Sequence, residues 1–303
     1  MTEISLSLYG LDRLCGNHME PVMDIVRLID ASTVDTLIVT DHVVMGEHTE
    51  AYPYGDFPTP PDTDWWEPIT LLAHIAAITR RVQLGTGILI APLRPAGLLA
   101  KQCTTLDQLS GGRLVLGVGS GWQREEFEAC NVSFDGRFQV LREQMRACRA
   151  LWSQVPASHH SELLGFDRIY CRPGPYLERR IPLWFGLKVT PRNAAFIAEV
   201  GDGWLPIINT PEQELERSIG LLRRSYEEFS RDPSTLRVKV SMIPHWQDDE
   251  KTPDLTTTLD SMRLLQARGV TDFEFNSSFF VRAPDDVPAL LAWLDELRSA
   301  VNA

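Results

Sequence analysis

The sequence predicts an α/β fold, a single (β/α)8 TIM barrel formed by residues 1–303. Short β-rich runs alternate with helical patterns from one end of the chain to the other. Eight such pairs can be counted. The strands are nearly continuous apolar runs, as a parallel sheet covered on both faces requires. The alternative is an open doubly wound sheet, because several of the strands are short.

The first strand is Ile4 to Leu8, and the helix from Glu20 to Ala31 sets Val22, Ile25, Val26 and Ile29 on one stripe. Strand two is Asp35 to Thr40. A helix from about Trp66 to Thr79 turns Ile69, Leu72, Ile75 and Ile78 inward. Strand three runs from Val82 to Ile90, and its helix carries Leu98, Leu99, Leu106 and Leu109 until Ser110-Gly111-Gly112 stops it with a glycine cap. Strand four is Leu114 to Val118, and Phe138, Leu141, Met145, Cys148 and Trp152 mark the fourth helix. The remaining strands fall at 181–186, 203–208, 236–243 and 272–276, and the remaining helices near 191–200, 211–230, 254–268 and 284–300. Leu215, Ile219, Leu222, Tyr226 and Phe229 make the sixth helix amphipathic. Two long insertions break this rhythm, residues 43–65 after strand two and residues 154–180 before strand five. Insertions of that length in a barrel are usually functional loops or lids. The first leaves a strand's carboxyl end, the face where barrel enzymes keep their sites.

The composition narrows the class of partner. The chain is 44% hydrophobic with a formal charge of -12, so a sizeable core is expected and a nucleic-acid backbone is not. No window approaches the roughly 18 apolar residues of a membrane span, and the first residues lack a basic region and a long apolar run. A cytoplasmic protein is expected. The five cysteines form no CxxC pair, and Cys103 and Cys148 fall on apolar helical stripes. His159-His160 lies in a polar insertion without a third ligand at metal spacing, so no metal site is expected.

Four strand ends carry the candidate chemistry. Thr40-Asp41-His42 ends strand two, where a histidine can move a proton near neutral pH and a carboxylate can bind a polar ring atom. The plainer alternative is an aspartate capping a turn beside a packed histidine. Gly85-Thr86-Gly87-Ile88 interrupts strand three, which marks either a bulge for barrel closure or a close approach by a ligand. Gly117-Val118-Gly119-Ser120-Gly121-Trp122 joins strand four to its helix. It departs from a dinucleotide fingerprint because Trp122 stands where the last glycine would be, and because the strand is fourth rather than first. Such a turn still lets a planar ring or a phosphate approach the backbone. After strand five, Gly186-Leu187-Lys188-Val189-Thr190 precedes Pro191. That is an ordinary helix start or a phosphate seat built from Lys188, Thr190 and free amides.

The runs TDHVV (40–44), YPYGDFP (52–58), ITRRVQLGTGILIAP (78–92), LLAKQCTTLDQLSGGRLVLGVGSGWQREEFEACNV (98–132), IPLWFG (181–186) and GDGWLPI (201–207) resemble the luciferase-like monooxygenase superfamily. The resemblance is strongest with its branch that uses the deazaflavin coenzyme F420. It implies a TIM barrel with the tricyclic ring at the strand carboxyl ends, and a cis peptide at Gly87–Ile88. It also implies that Asp41 and His42 face the ring, with His42 the proton donor or a substrate-side group. Thr86, Gly87 and Ile88 would back the ring, Gly117, Val118, Gly119 and Gly121 would border it or its side chain, and Gly186, Lys188 and Thr190 would hold the phosphate. Many relatives carry a second glycine and a serine or threonine soon after the residue matching Gly186, where this chain has Leu187 and Lys188. Trp65, Trp66 and Trp122, with the 43–65 loop, would wall the substrate pocket. The implied reaction is hydride transfer from reduced deazaflavin to an activated C=C, C=N or C=O group. An FMN-dependent monooxygenase on the same barrel and a non-catalytic flavin-binding barrel are the alternatives. The resemblance favours a homodimer.

Overall fold

A computed structural model describes residues 2–249 and 251–302. In chain order the elements are β1 (Glu3–Ser7), α1 (Leu11–Leu14), α2 (Met19–Ala31), β2 (Thr36–Val39), α3 (Pro68–Ile78), β3 (Gln83–Thr86), β4 (Leu89–Ile90) and α4 (Ala96–Ser110). Next come β5 (Leu114–Gly119), α5 (Arg124–Ala129), α6 (Arg137–Ser153), β6 (Ala157–His160), β7 (Gly165–Ile169), β8 (Leu183–Phe185) and α7 (Pro191–Val200). The chain ends with β9 (Gly203–Trp204), α8 (Glu212–Glu228), β10 (Arg237–Ser241), α9 (Leu255–Ala267), β11 (Asp272–Asn276), α10 (Ser277–Phe280) and α11 (Val287–Val301).

All the barrel pairings are parallel, in the order β3-β2-β1-β11-β10-β9-β8-β5, and β5 returns to β3 to close the ring. β3 and β4 are two pieces of one stave, interrupted at the cis Gly87–Ile88 peptide, so the closed ring has eight staves. Closure decides against the open sheet. The expected strand positions all carry barrel strands, although the sixth stops after Trp204 because Pro206 has no N–H for the ladder.

The helix stripes bury as their spacing predicts in α2, where Val22, Ile25, Val26 and Ile29 are all in the core. Of the four leucines expected inward in α4, Leu99 and Leu106 are buried, while Leu98 and Leu109 face outward at 52% and 65% exposure. Helical geometry explains this: 98 and 109 flank the inward stripe through Leu99, Cys103 and Leu106 rather than lying on it. Phe138 and Phe229, at the start of α6 and just past α8, are likewise half-exposed. Gly111 caps α4 in the left-handed conformation at φ 68°.

The 154–180 insertion is more than a loop. It contains the antiparallel hairpin β6–β7, with His159 and His160 on its first strand. Because it joins α6 to β8, it lies at the amino ends of the strands, the end remote from the expected site. Four of the cysteines are buried, and all five are free thiols. No helix among the described residues is long and apolar enough to cross a membrane.

Candidate active site at the carboxyl ends of the strands

A cavity of about 430 Å³ opens at the carboxyl ends of the strands. Glycines shape its floor. A Cβ on Gly119 would stand 2.7 Å from Ile88 Cδ1, and one on Gly186 would stand 3.1 Å from Ile88 Cγ2. The Ile88 side chain therefore sits on two bare backbone turns, and Gly87, Ile88, Gly119, Gly121 and Gly186 all line the cavity. Gly117 has a different task. A Cβ there would collide with the Thr86 carbonyl oxygen, so it lets β5 pass close to β3. Thr86 Oγ1 donates to Gly117 O at 2.7 Å in the same crossing. Val118 is fully buried in the core. Thr86, Gly117 and Val118 thus build the barrel wall beneath the cavity, one layer below the position expected for them.

The wall opposite this floor is aromatic. The 43–65 segment folds over the mouth, where Tyr52 and Phe57 meet Trp122 with ring centroids 5.2 and 5.1 Å apart. Trp65 lies 4.7 Å from the His42 ring. The Trp65 Nε1 is buried with no hydrogen-bond acceptor among the described residues. Burial pushes the Tyr52 phenol above its ordinary value, which keeps it neutral.

His42 borders this cavity, and its Nδ1 lies 3.1 Å from Glu126 Oε2. Glu126 is fully buried, and its other oxygen accepts the Val43 amide at 2.7 Å. A carboxylate in that position accepts the Nδ1 proton, so Nε2 becomes the nitrogen free to exchange a proton with a bound molecule. Three residues before Glu126, the buried Gln123 grips Gly46 from both sides, accepting its amide at 2.7 Å and donating to its carbonyl at 3.0 Å. The start of α5 therefore orients the histidine and anchors the covering loop together.

Asp41 is committed elsewhere. Its carboxylate takes two hydrogen bonds from Arg94, at 2.7 and 3.0 Å, and accepts the Ile90 amide at 2.8 Å. Arg94 also reaches Glu67 at 2.9 Å. Burial would push the Glu67 carboxyl up, but bonds from Thr70 and Arg94 bring it below its ordinary value. Asp41 thereby fixes the backbone just past the cis peptide, holding the Ile88 turn in place.

The barrel interior adds a second polar group. Lys239 of β10 and Glu274 of β11 pair at 2.7 Å, and both line the cavity with Ser241. Lys239 Nζ lies 5.4 Å from the centre of the Trp184 ring.

The geometry therefore gathers Asp41, His42, Gly87, Ile88, Gly119, Gly121, Gly186, Trp65 and Trp122 around one cavity. Trp66 lies outside it, 42% exposed, with its indole donating to Asp12 Oδ2 at 3.0 Å. Lys188 and Thr190 also lie outside it, at the start of α7. The Thr190 hydroxyl accepts the Asn193 amide at 3.2 Å and is thus spent capping its own helix. Sequence reasoning missed Glu126, Gln123, Arg94, Lys239 and Glu274. A signal existed for three of them. Asp41 at an apolar strand end requires a cation, and Lys239 and Glu274 are charges inside otherwise apolar strand runs. Among the described residues, no cluster of His, Cys, Asp and Glu could hold a metal ion.

Comparison with known proteins agrees with this architecture. An uncharacterized protein of Mycobacterium tuberculosis is 30% identical over 243 residues, covering 78% of this chain and 85% of its own. The solved structure of monooxygenase RslO1 from Streptomyces bottropensis superposes with a TM-score of 0.81 at 18% identity, covering 99% of this chain and 100% of that one. An F420-dependent secondary alcohol dehydrogenase, solved with an F420-acetone adduct, gives 0.73 at 17% identity and covers 99% of each chain. At such identities the structural likeness is one of fold. The sequence pattern described as luciferase-like monooxygenase matches residues 12–253, and the chain belongs to that family of oxidoreductases.

Proposed function

We propose that the chain is an oxidoreductase that binds the deazaflavin coenzyme F420 and exchanges hydride with an activated C=O, C=N or C=C group of a small organic substrate. The observation that carries this reading is the His42–Glu126 pair at the edge of the cavity. Reduction of a polarised double bond needs a proton beside the hydride, and this pair is built to supply one. The fit is supported by the glycine floor, which a Cβ would fill.

When bound, the coenzyme supplies the hydride. Everything else falls to the chain. Gly87, Ile88, Gly119 and Gly186 would hold the ring, and Asp41 with Arg94 keeps that turn from shifting. Gly121 lets the β5 turn close at φ 71°, which keeps Trp122 at the rim. As an imidazolium His42 would deliver a proton from Nε2, while Glu126 accepts the Nδ1 hydrogen bond and holds the ring in place. Tyr52, Phe57, Trp65 and Trp122 exclude water and select a substrate with apolar surface. Lys188 would mark the phosphate end, since Thr190 is committed to capping α7. A homodimeric, cytoplasmic enzyme is part of this proposal.

Titration of the purified protein with F420 and with FMN, followed by flavin absorbance and fluorescence, tests it. Saturable F420 binding with FMN binding at least about tenfold weaker is expected, a gap of roughly 1.4 kcal/mol. Tight FMN binding without F420 binding turns the reading to an oxygen-using FMN monooxygenase on the same barrel.

A further inference from the structure

A second hollow, of about 240 Å³, lies beside the candidate active cavity and is lined from the ends of β9 and β10 and from α8 and α9. Pro206, Ile207, Ile208 and Ser241 border both spaces, so the two share a boundary. Most of that boundary is the 206–208 segment, which is not held in the sheet. β9 ends at Trp204, and the turn beyond it closes on itself. Thr210 donates to the Ile207 carbonyl from its amide at 3.0 Å and from its hydroxyl at 2.6 Å.

The second hollow is walled by apolar side chains, with Leu215 from α8, Val240 from β10, Met242 just past it and Leu265 from α9. Its polar members His245, Ser261 and Thr210 are already engaged. Ser261 Oγ lies 3.1 Å from His245 Nε2, and the Thr210 hydroxyl is spent on Ile207. Ile208 and Ile243 also line it, yet they are 37% and 41% exposed. A single exposed isoleucine needs no explanation. Two on one apolar hollow that adjoins a ligand cavity mark a surface that an apolar group would cover with a gain in free energy. The main cavity reaches from His42 at the end of β2 to Ile207 and Ile208 after β9, so a molecule reacting at His42 meets this boundary only if it carries an extended arm.

We propose that the second hollow receives the apolar arm of the substrate, an aliphatic or aryl chain of several carbons attached to the reacting group. The site then favours elongated apolar molecules over small polar ones, because each methylene moved out of water adds to binding until the hollow is full. This rests on the reading above that the substrate reacts beside His42.

The test uses straight-chain methyl ketones from butanone up to dodecanone with wild type, Leu265→Trp and Ile243→Asp. Neither position borders the main cavity. Binding is read on the coenzyme-free protein from the rise in melting temperature with ketone concentration, and turnover is read with reduced F420. Wild type is expected to gain about fourfold in affinity and in kcat/KM for each added methylene, levelling off once the hollow is filled. Leu265→Trp fills the hollow and Ile243→Asp sets a charge at its rim. Each is expected to lower the ratio of long-chain to short-chain affinity by at least about tenfold. Ile243 is partly exposed, so its variant keeps the fold even if the bulkier one does not, and melts without ketone show which is folded. Wild-type affinity that does not rise with chain length, or a rise that persists in the folded variants, overturns the arm site and leaves the hydride-transfer reading standing. Chain-length-dependent binding that the variants abolish, with no turnover of any ketone under reduced F420, keeps the arm site and overturns ketone reduction instead.

Discussion

His42 and Glu126 show how one buried carboxylate sets the chemistry of a neighbour. Glu126 has no solvent contact, and its two oxygens are divided between the Val43 amide and the His42 ring. The imidazole is thereby held in one orientation before any substrate arrives. If Nε2 is the proton donor, His42→Ala lowers kcat by about 10²–10⁴-fold, the range of general acid catalysis, and leaves coenzyme affinity nearly unchanged. Glu126→Gln is the sharper variant. It preserves shape and the Val43 bond, but its amide group no longer enforces a proton on Nδ1. A fall in kcat of about tenfold or more with little change in KM is expected, measured by steady-state kinetics. A fall confined to KM assigns the pair to substrate binding instead. His42 was legible in the sequence because a histidine at the end of a barrel strand already points to the site. Glu126 was not. In the run REEFEA it is one acid among three, and only the packing of Phe127 into the core turns it inward.

At the scale of elements, the covering segment is held by contacts from outside itself. Residues 43–65 contain a single short 3-10 turn at Thr49–Ala51, yet they place Tyr52, Phe57 and Trp65 over the mouth. Their anchors are Glu126 on Val43 and Gln123 on Gly46. Gln123→Ala removes two hydrogen bonds and leaves the half-buried amide and carbonyl of Gly46 short of protein partners, a cost of about 1 kcal/mol. That loss falls on the loop and not on the barrel. Faster proteolysis within 43–65 and a raised KM are expected, with an almost unchanged melting temperature. A melting temperature lowered by many degrees with unchanged loop cleavage assigns Gln123 to the core instead. The strands were legible because apolar runs of a buried parallel sheet carry their own signature. The hairpin β6–β7 was not, because its strands are polar, half-exposed and bounded by prolines, which is also how a loop reads. The short reach of β9 follows from Pro206, and the same residue could have foretold it.

Across the whole molecule the two ends of the barrel divide the work. The carboxyl ends carry the cavity, and the amino ends carry ion pairs that tie the first and last strands together. Glu3 of β1 pairs with Arg237 of β10 at 2.9 Å, and Arg237 holds Asp272 of β11 at 2.5 Å. One arginine thus serves two carboxylates in a half-buried place. Burial pushes the Glu3 carboxyl up from 4.5 to about 7; Arg237 opposes the rise, and Asp272 and Asp35 add to it. The sign follows from linkage. Below about pH 4.5 Glu3 is protonated in both the folded and unfolded chain, and the fold keeps its full benefit. Between about pH 4.5 and 7 the unfolded chain ionises while the folded one resists, so stability falls as pH rises and levels off above about 7. A shift of this size is worth at most about 3 kcal/mol, and partial solvent access reduces it to about 2. Glu67 and Asp202 act oppositely, since hydrogen bonds and arginines hold both below their ordinary values despite burial. Their contribution is lost only as pH falls below about 4, so the two windows do not overlap. Urea unfolding at about pH 5 and about pH 7.5 separates them. Wild type is expected to lose about 2 kcal/mol over that interval and Glu3→Gln to lose little, since glutamine cannot ionise. An equal loss in the variant moves the pH dependence to another group and leaves Glu3 as an ordinary ionised partner of Arg237.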